Sequence, residues 1–427
     1  MTIGFYHVVF LLGGVINKFM KKNKKTVFVG VSGGVDSSVS AILLKNQGYN
    51  VVGVFIRTWS PDFIKCTWRN ERRDAMRVCA HLEIPFLECD AEEEYKDAVA
   101  DYMIEEYKKG KTPNPDVMCN REVKFGVFWN FAKKHGADYI ATGHYTICEK
   151  RNIFQKLYKL SAKTKYSFLQ VLGRGEWEPV PDHVKKNILF LLKKSPDISK
   201  DQSYFLWTLT QEDLSHTLFP IGYLRKTEVR KLAKKYKIPV AEKKDSQGVC
   251  FLGPLDMKDF LSHYIKPEKG KVLNTEGKEI GYHNGAVFFT LGERHGFTTN
   301  DKTEKDKPYY VIKKDIKNNT ITVSSSPEIS SSSNSRMGED EGEDHSGKKS
   351  FDFIINIEKT NWISYIPEDN RKYIAQVRYH GENLDCKIKI LDKQKAEIIF
   401  DKNILVDSGQ SIVIYDGNVC LGGGVVI

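Results

Sequence analysis

No two of the eight cysteines, at positions 66, 79, 89, 119, 148, 250, 386 and 420, are spaced C-x-x-C. That absence removes zinc ribbons, thioredoxin-like redox motifs and most iron–sulfur ligand sets, and it fits a reducing compartment in which most thiols are inert. No acidic residue precedes Asp36, and the first 25 residues hold neither arginine nor serine, while lysines stand at 18, 21, 22, 24 and 25. With the apolar run Val8–Leu12 beside them, these lysines suit an organelle-import segment or, equally, a disordered basic arm. No apolar run approaches the ~18 residues that a membrane span needs. No internal repeat is evident. Nor does a lysine stand where a Walker A loop requires one, which disfavours an enzyme that removes a γ-phosphate.

What is present centres on residues 26–49. Val27-Phe28-Val29-Gly30-Val31 reads as a short buried strand, Ser32-Gly33-Gly34-Val35-Asp36-Ser37-Ser38 as a turn with helix-capping groups, and Val39 to Gln47 as a helix closed by Gly48. Glycines let the backbone approach an anion, and the unpaired amides and positive dipole end of the helix favour phosphate there. An ordinary Gly/Ser-rich turn is the plain alternative.

At 427 residues the chain is too long for one core. Hydrophobic residues make up 41% and charged residues 28%, as in a soluble globular protein. Lys+Arg of 65 against Asp+Glu of 55 gives +10, a balance that suits a polyanion such as RNA or simply a solvated basic surface.

Further strands are predicted at 50–55, 84–89 and 138–141, alternating with helices at 74–81, 92–109 and 122–135. That alternation predicts an α/β domain with a doubly wound parallel sheet, its ligand site at the carboxyl ends of the strands. Ser32–Ser38, Ile56–Trp59 and Gly143-His144 fall at such ends and are expected to line one crevice. After Lys258, short Gly-punctuated runs predict a small β module and then an antiparallel barrel or sandwich. The predicted organisation is an N-terminal extension over 1–25, a catalytic domain over 26–257 interrupted by a basic insertion at 151–199, a central β module over 258–300, and a C-terminal barrel over 301–427. A Ser/Glu/Asp/Gly run at 324–350 is expected to be disordered.

Two loops carry thiols. Thr112-Pro113-Asn114-Pro115-Asp116-Val117-Met118-Cys119-Asn120 is stiffened by two prolines and brings a carboxylate close to a cysteine; Asp245-Ser246-Gln247-Gly248-Val249-Cys250-Phe251-Leu252-Gly253 sets a second cysteine among glycines. A lone cysteine is more often a buried small hydrophobe, but polar Gly/Pro-rich loops are where reactive thiols are expected.

The Ser/Gly loop resembles that of the ATP pyrophosphatase (PP-loop) enzymes. With the 112–120 loop, Ala141-Thr142-Gly143-His144-Tyr145, the run Lys200-Asp201-Gln202-Ser203-Tyr204-Phe205, the 245–253 loop, Gly409-Gln410-Ser411 and Cys420–Gly424, it appears in the order and approximate spacing of the tRNA-specific 2-thiouridylases, bacterial and mitochondrial. The resemblance covers most of Lys25 to Ile427. It implies that Gly30, Val31, Ser32, Gly33, Gly34, Val35, Asp36 and Ser37 hold ATP phosphates, with Ile56 and Gly143 beside the nucleotide and Mg2+ neutralising pyrophosphate. It implies that Asn114, Pro115 and Asp116 face the target uridine, Asp116 as acid/base. Cys119 would be the nucleophile and Cys250 the carrier of persulfide sulfur, leaving a Cys119–Cys250 disulfide to be reduced after each turnover. His144, Lys200, Asp201, Gln202, Arg378, Tyr379 and Gln410 would touch tRNA. Lys-, Glu- and Gln-type anticodons, a persulfide-donating sulfur carrier or cysteine desulfurase and a monomeric state go with the same resemblance; a mitochondrial address (cytoplasmic in a bacterium) rests on the N-terminal composition and on the insertions. Two other readings stay open: a PP-loop enzyme that adenylates a small molecule, as argininosuccinate synthetases do, and a non-catalytic tRNA-binding protein.

Overall fold

A computed structural model describes residues 24–64, 68–152, 188–245, 256–300, 307–326 and 353–427. Residues 1–23 of the N-terminal extension, most of the 151–199 insertion, the 324–350 run beyond Ser326, Cys66 and Cys250 lie outside the described residues.

Five parallel strands form the first sheet: β1 (Thr26–Gly30), β2 (Asn50–Thr58), β3 (Phe86–Ala91), β4 (Tyr139–Ala141) and, after the hairpin described below, β7 (Thr217–Leu218). Their order is β3-β2-β1-β4-β7. The near-continuous apolar character of β1 and β2 follows from helices covering both faces. Progression outward from β1 to β3 reverses at β4, so the carboxyl ends of β1 and β4 flank the topological switch point, where an open α/β sheet opens a crevice. The predicted doubly wound sheet is borne out. Helices α1 (Val35–Asn46) and α2 (Trp68–His81) follow β1 and β2, and α3 (Phe128–Lys134) leads into β4.

β5 (Thr146–Asn152) and β6 (Ile188–Lys194) pair antiparallel, and β6 continues onto the C-terminal sheet through Cys420↔Leu192. The two ends of the insertion therefore belong to a hairpin arm that ties the first domain to the last.

The central sheet orders as β10-β9-β8-β12-β11, built from β8 (Gly270–Leu273), β9 (Glu279–His283), β10 (Phe297–Thr299), β11 (Tyr310–Asp315) and β12 (Thr320–Ser324). This corrects the boundary expected at residue 300. Residues 310–324 belong here because β12 runs parallel to β8, a non-local pairing that no hairpin signal announces. Between β9 and β10, Gly285, at φ 132°, leads into a 3₁₀ segment over Ala286–Phe288.

β13 (Phe353–Trp362), β14 (Tyr373–Gln376), β15 (Leu384–Ile390), β16 (Lys395–Phe400), β17 (Ser411–Asp416) and β18 (Val419–Val426) close into a six-stranded antiparallel barrel through β13–β18, as predicted. Strict alternation along β15 fills it with Leu384, Cys386 and Ile388 and leaves Asp385, Lys387 and Lys389 to solvent.

His216, beside β7, stacks on Trp129 at 3.7 Å with nearly parallel rings, and its Nε2 is buried with no acceptor. Burial lowers its pKa to about 4, with Asp213 opposing and Lys133 assisting. The unfolded chain protonates near 6.5, so this histidine favours the folded state fully above that pH, and its contribution of about 3 kcal/mol is lost as pH falls toward 4. Thermal midpoints measured at pH 7.5 and 5 should show a smaller acid loss in His216→Gln than in the parent. An equal loss in both would rule this histidine out as the acid-sensitive group.

Candidate active site

Chain geometry makes the anion cradle. Gly33 has φ 71°, and a Cβ there would sit 2.5 Å from the Glu71 carbonyl oxygen; a Cβ on Gly143 would sit 2.7 Å from Ser37 N. Only glycine lets the β4 end lie against the first turn of α1. Ser37 Oγ accepts from Ser32 N at 3.3 Å and donates to Gly34 O at 3.3 Å, which folds the loop over the helix N-terminus. The side chain of Ile56 approaches Gly30, where a Cβ would meet its Cδ1 at 3.6 Å.

Of the cations around this loop, the sequence singled out Lys200 alone, and that as a tRNA contact. Lys226, at the start of α4 (Lys226–Lys235), donates to both oxygens of Asp36 at 2.8 Å and lies 2.7 Å from Asp245. Asp36 also accepts from Tyr145 OH at 2.7 Å. Lys243 bonds Gly33 O at 3.1 Å and Asp74 at 2.8 Å. Lys200 and Arg230 bond Asp245 at 2.9 and 2.6 Å. Partial burial works to raise the Asp245 pKa, but hydrogen bonds and charge from Lys226 and Lys200 hold it at about 2. Four basic side chains, Lys200, Lys226, Arg230 and Lys243, thus gather around the loop and Asp245, which stands five residues before Cys250 in the chain.

Beyond Gly143 a second group assembles. Asn114 caps a turn at Pro115–Met118, its side chain accepting from Val117 N at 3.2 Å with Pro115 at the first helical position. The chain then continues as a helix of π winding over Cys119–Val127 into α3. Cys119 is therefore helical and only 2% exposed, packed with Ala91, Tyr95, Met103, Val123 and Phe260, which corrects the expectation of a thiol on an open loop. Burial raises the Asp116 pKa while Lys124 pulls it down. Burial and then the Lys124 charge hold His144 well below its ordinary value, so its imidazole is neutral. His144 Nδ1 pairs with Thr142 Oγ1 at 2.8 Å, and its ring lies 5.8 Å from that of Phe125. Asp116, Lys124 and His144 thus share one neighbourhood bordering the phosphate loop, and Ile56 packs in the same apolar cluster as Cys119.

The residues expected at tRNA divide. Tyr379 stacks on exposed His380 at 3.9 Å and packs against Phe205 at 4.3 Å, an aromatic ledge near Asp116. Lys200 is half-exposed, as is Gln410, whose Oε1 accepts from Asp407 N at 2.9 Å. His144 and Asp201 are buried; Asp201 accepts from Ser195 N and Ser203 Oγ. Gln202 exchanges hydrogen bonds with the Tyr145 backbone. Arg378 spends its guanidinium on the carbonyls of Leu291 and Leu405, holding the central sheet to the barrel.

A glycine-rich loop at the switch point of a parallel sheet, rimmed by basic side chains and followed by β-rich modules, defines an α/β protein with appended β domains. Family models agree: residues 25–254 match a tRNA methyl transferase HUP domain, 258–325 a tRNA methyl transferase PRC-barrel domain and 353–426 an aminomethyltransferase β-barrel domain. Among curated proteins, the tRNA-specific 2-thiouridylase MnmA of Buchnera aphidicola subsp. Schizaphis graminum is 40% identical over 95% of this chain and 98% of its own length. The same-named proteins of Francisella philomiragia and Klebsiella pneumoniae are 36% and 37% identical, over 96% and 95% of this chain and 100% and 98% of theirs. The chain belongs to the tRNA-specific 2-thiouridylase family.

Proposed function

We propose that the protein is an ATP-dependent tRNA sulfurtransferase that makes 2-thiouridine at wobble position 34. The observation that carries this is that Ile56, which abuts Gly30 at the start of the Ser/Gly loop, packs against the cluster that holds Cys119, in a chain related end to end to 2-thiouridylases. A thiol in that cluster supports thiolation over the methyl transfer named in the family-model descriptions.

Uracil O2 is a poor leaving group, and adenylation makes it a good one. Gly30 to Ser37 hold the phosphates, and Lys226 and Lys243 meet their charge. Asp116, its carboxyl raised by burial, takes the N3 proton as O2 attacks the α-phosphate and pyrophosphate leaves. Cys119 then attacks the inner sulfur of a Cys250 persulfide. The terminal sulfur departs as sulfide, adds at C2 and expels AMP; Asp116 returns the proton, and a Cys119–Cys250 disulfide remains for an external dithiol to reduce. The target base must leave its stack, and the Tyr379–His380 ledge offers it a surface. Lys200 and Gln410, both half-exposed, serve as direct tRNA contacts, whereas His144, Asp201, Gln202 and Arg378 act by shaping the surface. Among the described residues no cluster of three His, Cys, Asp or Glu could hold a metal, and the carboxylates nearest the Ser/Gly nest, Asp36, Asp74 and Asp245, are each paired with a lysine, a donor set that fits Mg2+ carried on the phosphates. Bound there, it would neutralise the leaving pyrophosphate.

The partners proposed are tRNAs with Lys-, Glu- and Gln-type anticodons and a persulfide donor, with the enzyme as a monomer. A mitochondrial address rests on the N-terminal composition and the insertions, and the relatives above are bacterial.

Incubation with ATP, persulfide donor and tRNA should release AMP only when tRNA is present and yield 2-thiouridine by nucleoside mass spectrometry. Pyrophosphate release without RNA would favour adenylation of a small molecule, and tRNA binding without turnover would favour a non-catalytic role.

A further inference from the structure

One ion pair, between the central sheet and the barrel, is almost wholly out of water. Lys314 Nζ sits 2.5 Å from Asp407 Oδ2, each side chain 6% exposed. Lys314 comes from β11 of the central sheet and Asp407 from the segment before β17 of the barrel. The ammonium's two other donors go to Gly110 O at 2.9 Å and Phe289 O at 2.8 Å, so its three protons are divided among the catalytic domain, the central module and the barrel. The carboxylate in turn accepts from Thr112 Oγ1 at 2.8 Å and Leu291 N at 3.2 Å. Thr112 N donates to Ser408 O at 2.7 Å. Close approach is enforced by glycine on both sides: a Cβ on Gly110 would lie 2.3 Å from Ile316, and one on Gly409, at φ 89°, 3.1 Å from Thr112.

Stability alone does not call for such a pair, because two buried charges recover little net energy over an apolar pair of like volume. What the charges add is direction. Thr112 opens the segment that runs through Asn114 and Asp116 to Cys119, and at its root Gly110 O, Thr112 Oγ1 and Thr112 N bond Lys314, Asp407 and the adjoining Ser408.

We infer that Lys314 and Asp407 are positioning residues for sulfur transfer: the pair fixes the root of the Thr112–Cys119 segment against the other two domains, so that the uridine-facing residues and the thiol hold a single register. The inference rests on the function proposed above. Adenylation and sulfur transfer must follow each other closely, since an adenylated uridine that waits is hydrolysed back to uridine and AMP by water. Loosening the root therefore uncouples the two half-reactions rather than merely slowing both.

The test is the ratio of AMP released to 2-thiouridine formed in the full-length enzyme with ATP, tRNA and persulfide donor. Lys314→Met and Thr112→Val, the latter removing one hydroxyl at constant shape, should lower thiolation about tenfold or more while KM for ATP stays put, as displacement of reacting groups does. AMP per thiolated uridine should rise well above one in both, and Thr112→Ser, which keeps the hydroxyl, should restore a ratio near one. A partly unfolded enzyme loses both products together and leaves the ratio unchanged, so Thr112→Val remains decisive if Lys314→Met folds poorly. A ratio near one in Thr112→Val, whatever the loss of rate, overturns the inference. A parent enzyme that forms no 2-thiouridine overturns instead the functional reading beneath it.

Discussion

Serine at position 119 is expected to abolish thiolation, by about 10³-fold or more, while tRNA-dependent AMP release continues. A hydroxyl has no means of cleaving a persulfide, whereas adenylation draws on Asp116 and the nest. The thiol is 2% exposed within an apolar cluster, so the oxygen of serine also meets a desolvation cost of roughly 1–3 kcal/mol. Cys119→Ala separates the two effects: it buries no polar group, should melt closer to the parent, and should be equally inactive in thiolation. Cys250→Ser is expected to match both in product analysis. Undiminished thiolation in any of the three removes the two-cysteine chemistry. The burial of Cys119 adds a condition, because a nucleophile so enclosed reacts only with a sulfur delivered along the crevice, which protects it from adventitious oxidants.

The nest was legible in the sequence because everything that makes it is local. An apolar strand, a Ser/Gly run with Gly33 in a left-handed conformation, and a helix start within twelve residues leave little choice of geometry. Its cations were not. Lys226 reaches Asp36 across 190 residues of chain, and nothing in the surrounding Lys226–Lys235 helix distinguishes that lysine from its exposed neighbours until the fold brings β1, β4 and α4 together. Cys119 failed in the opposite way. Its two prolines suggested a loop, yet the same stretch held the signature of a helix start, with Asn114 as cap and Pro115 at the first turn. Arg378 shows a third limit: the resemblance offers it as a tRNA contact, and only tertiary packing shows that its Nη2 also donates to the carbonyls of Leu291 and Leu405. The parallel β8–β12 pairing, which moved the domain boundary, belongs with the lysines as a non-local event.

Removing the Lys226 ammonium should have the second largest effect. In Lys226→Met, Asp36 and Asp245 lose the cation they share, and two carboxylates are left to face the incoming ATP tetra-anion. Lys226 is 14% exposed and its partners about a third exposed, so screening softens the repulsion without cancelling it. A loss of about 100-fold in kcat/KM for ATP, near 2.7 kcal/mol of transition-state stabilisation, is the expected scale. Arginine at 226 keeps the charge but cannot bond both carboxylates from one nitrogen, and a partial recovery is expected. With Lys226 gone, Asp245 also loses the first of the bonds that hold its pKa at about 2, so its carboxyl should titrate higher. The folded state then gains less from this ionised group at neutral pH, and the difference from the parent should shrink as pH falls toward 3 and both forms protonate. ATP titration by calorimetry, together with melting curves across pH 3–8, reads both effects. Parent-like ATP affinity and thiolation in Lys226→Met would mean that the lysine merely braces the loop and that the phosphates are held by backbone amides alone.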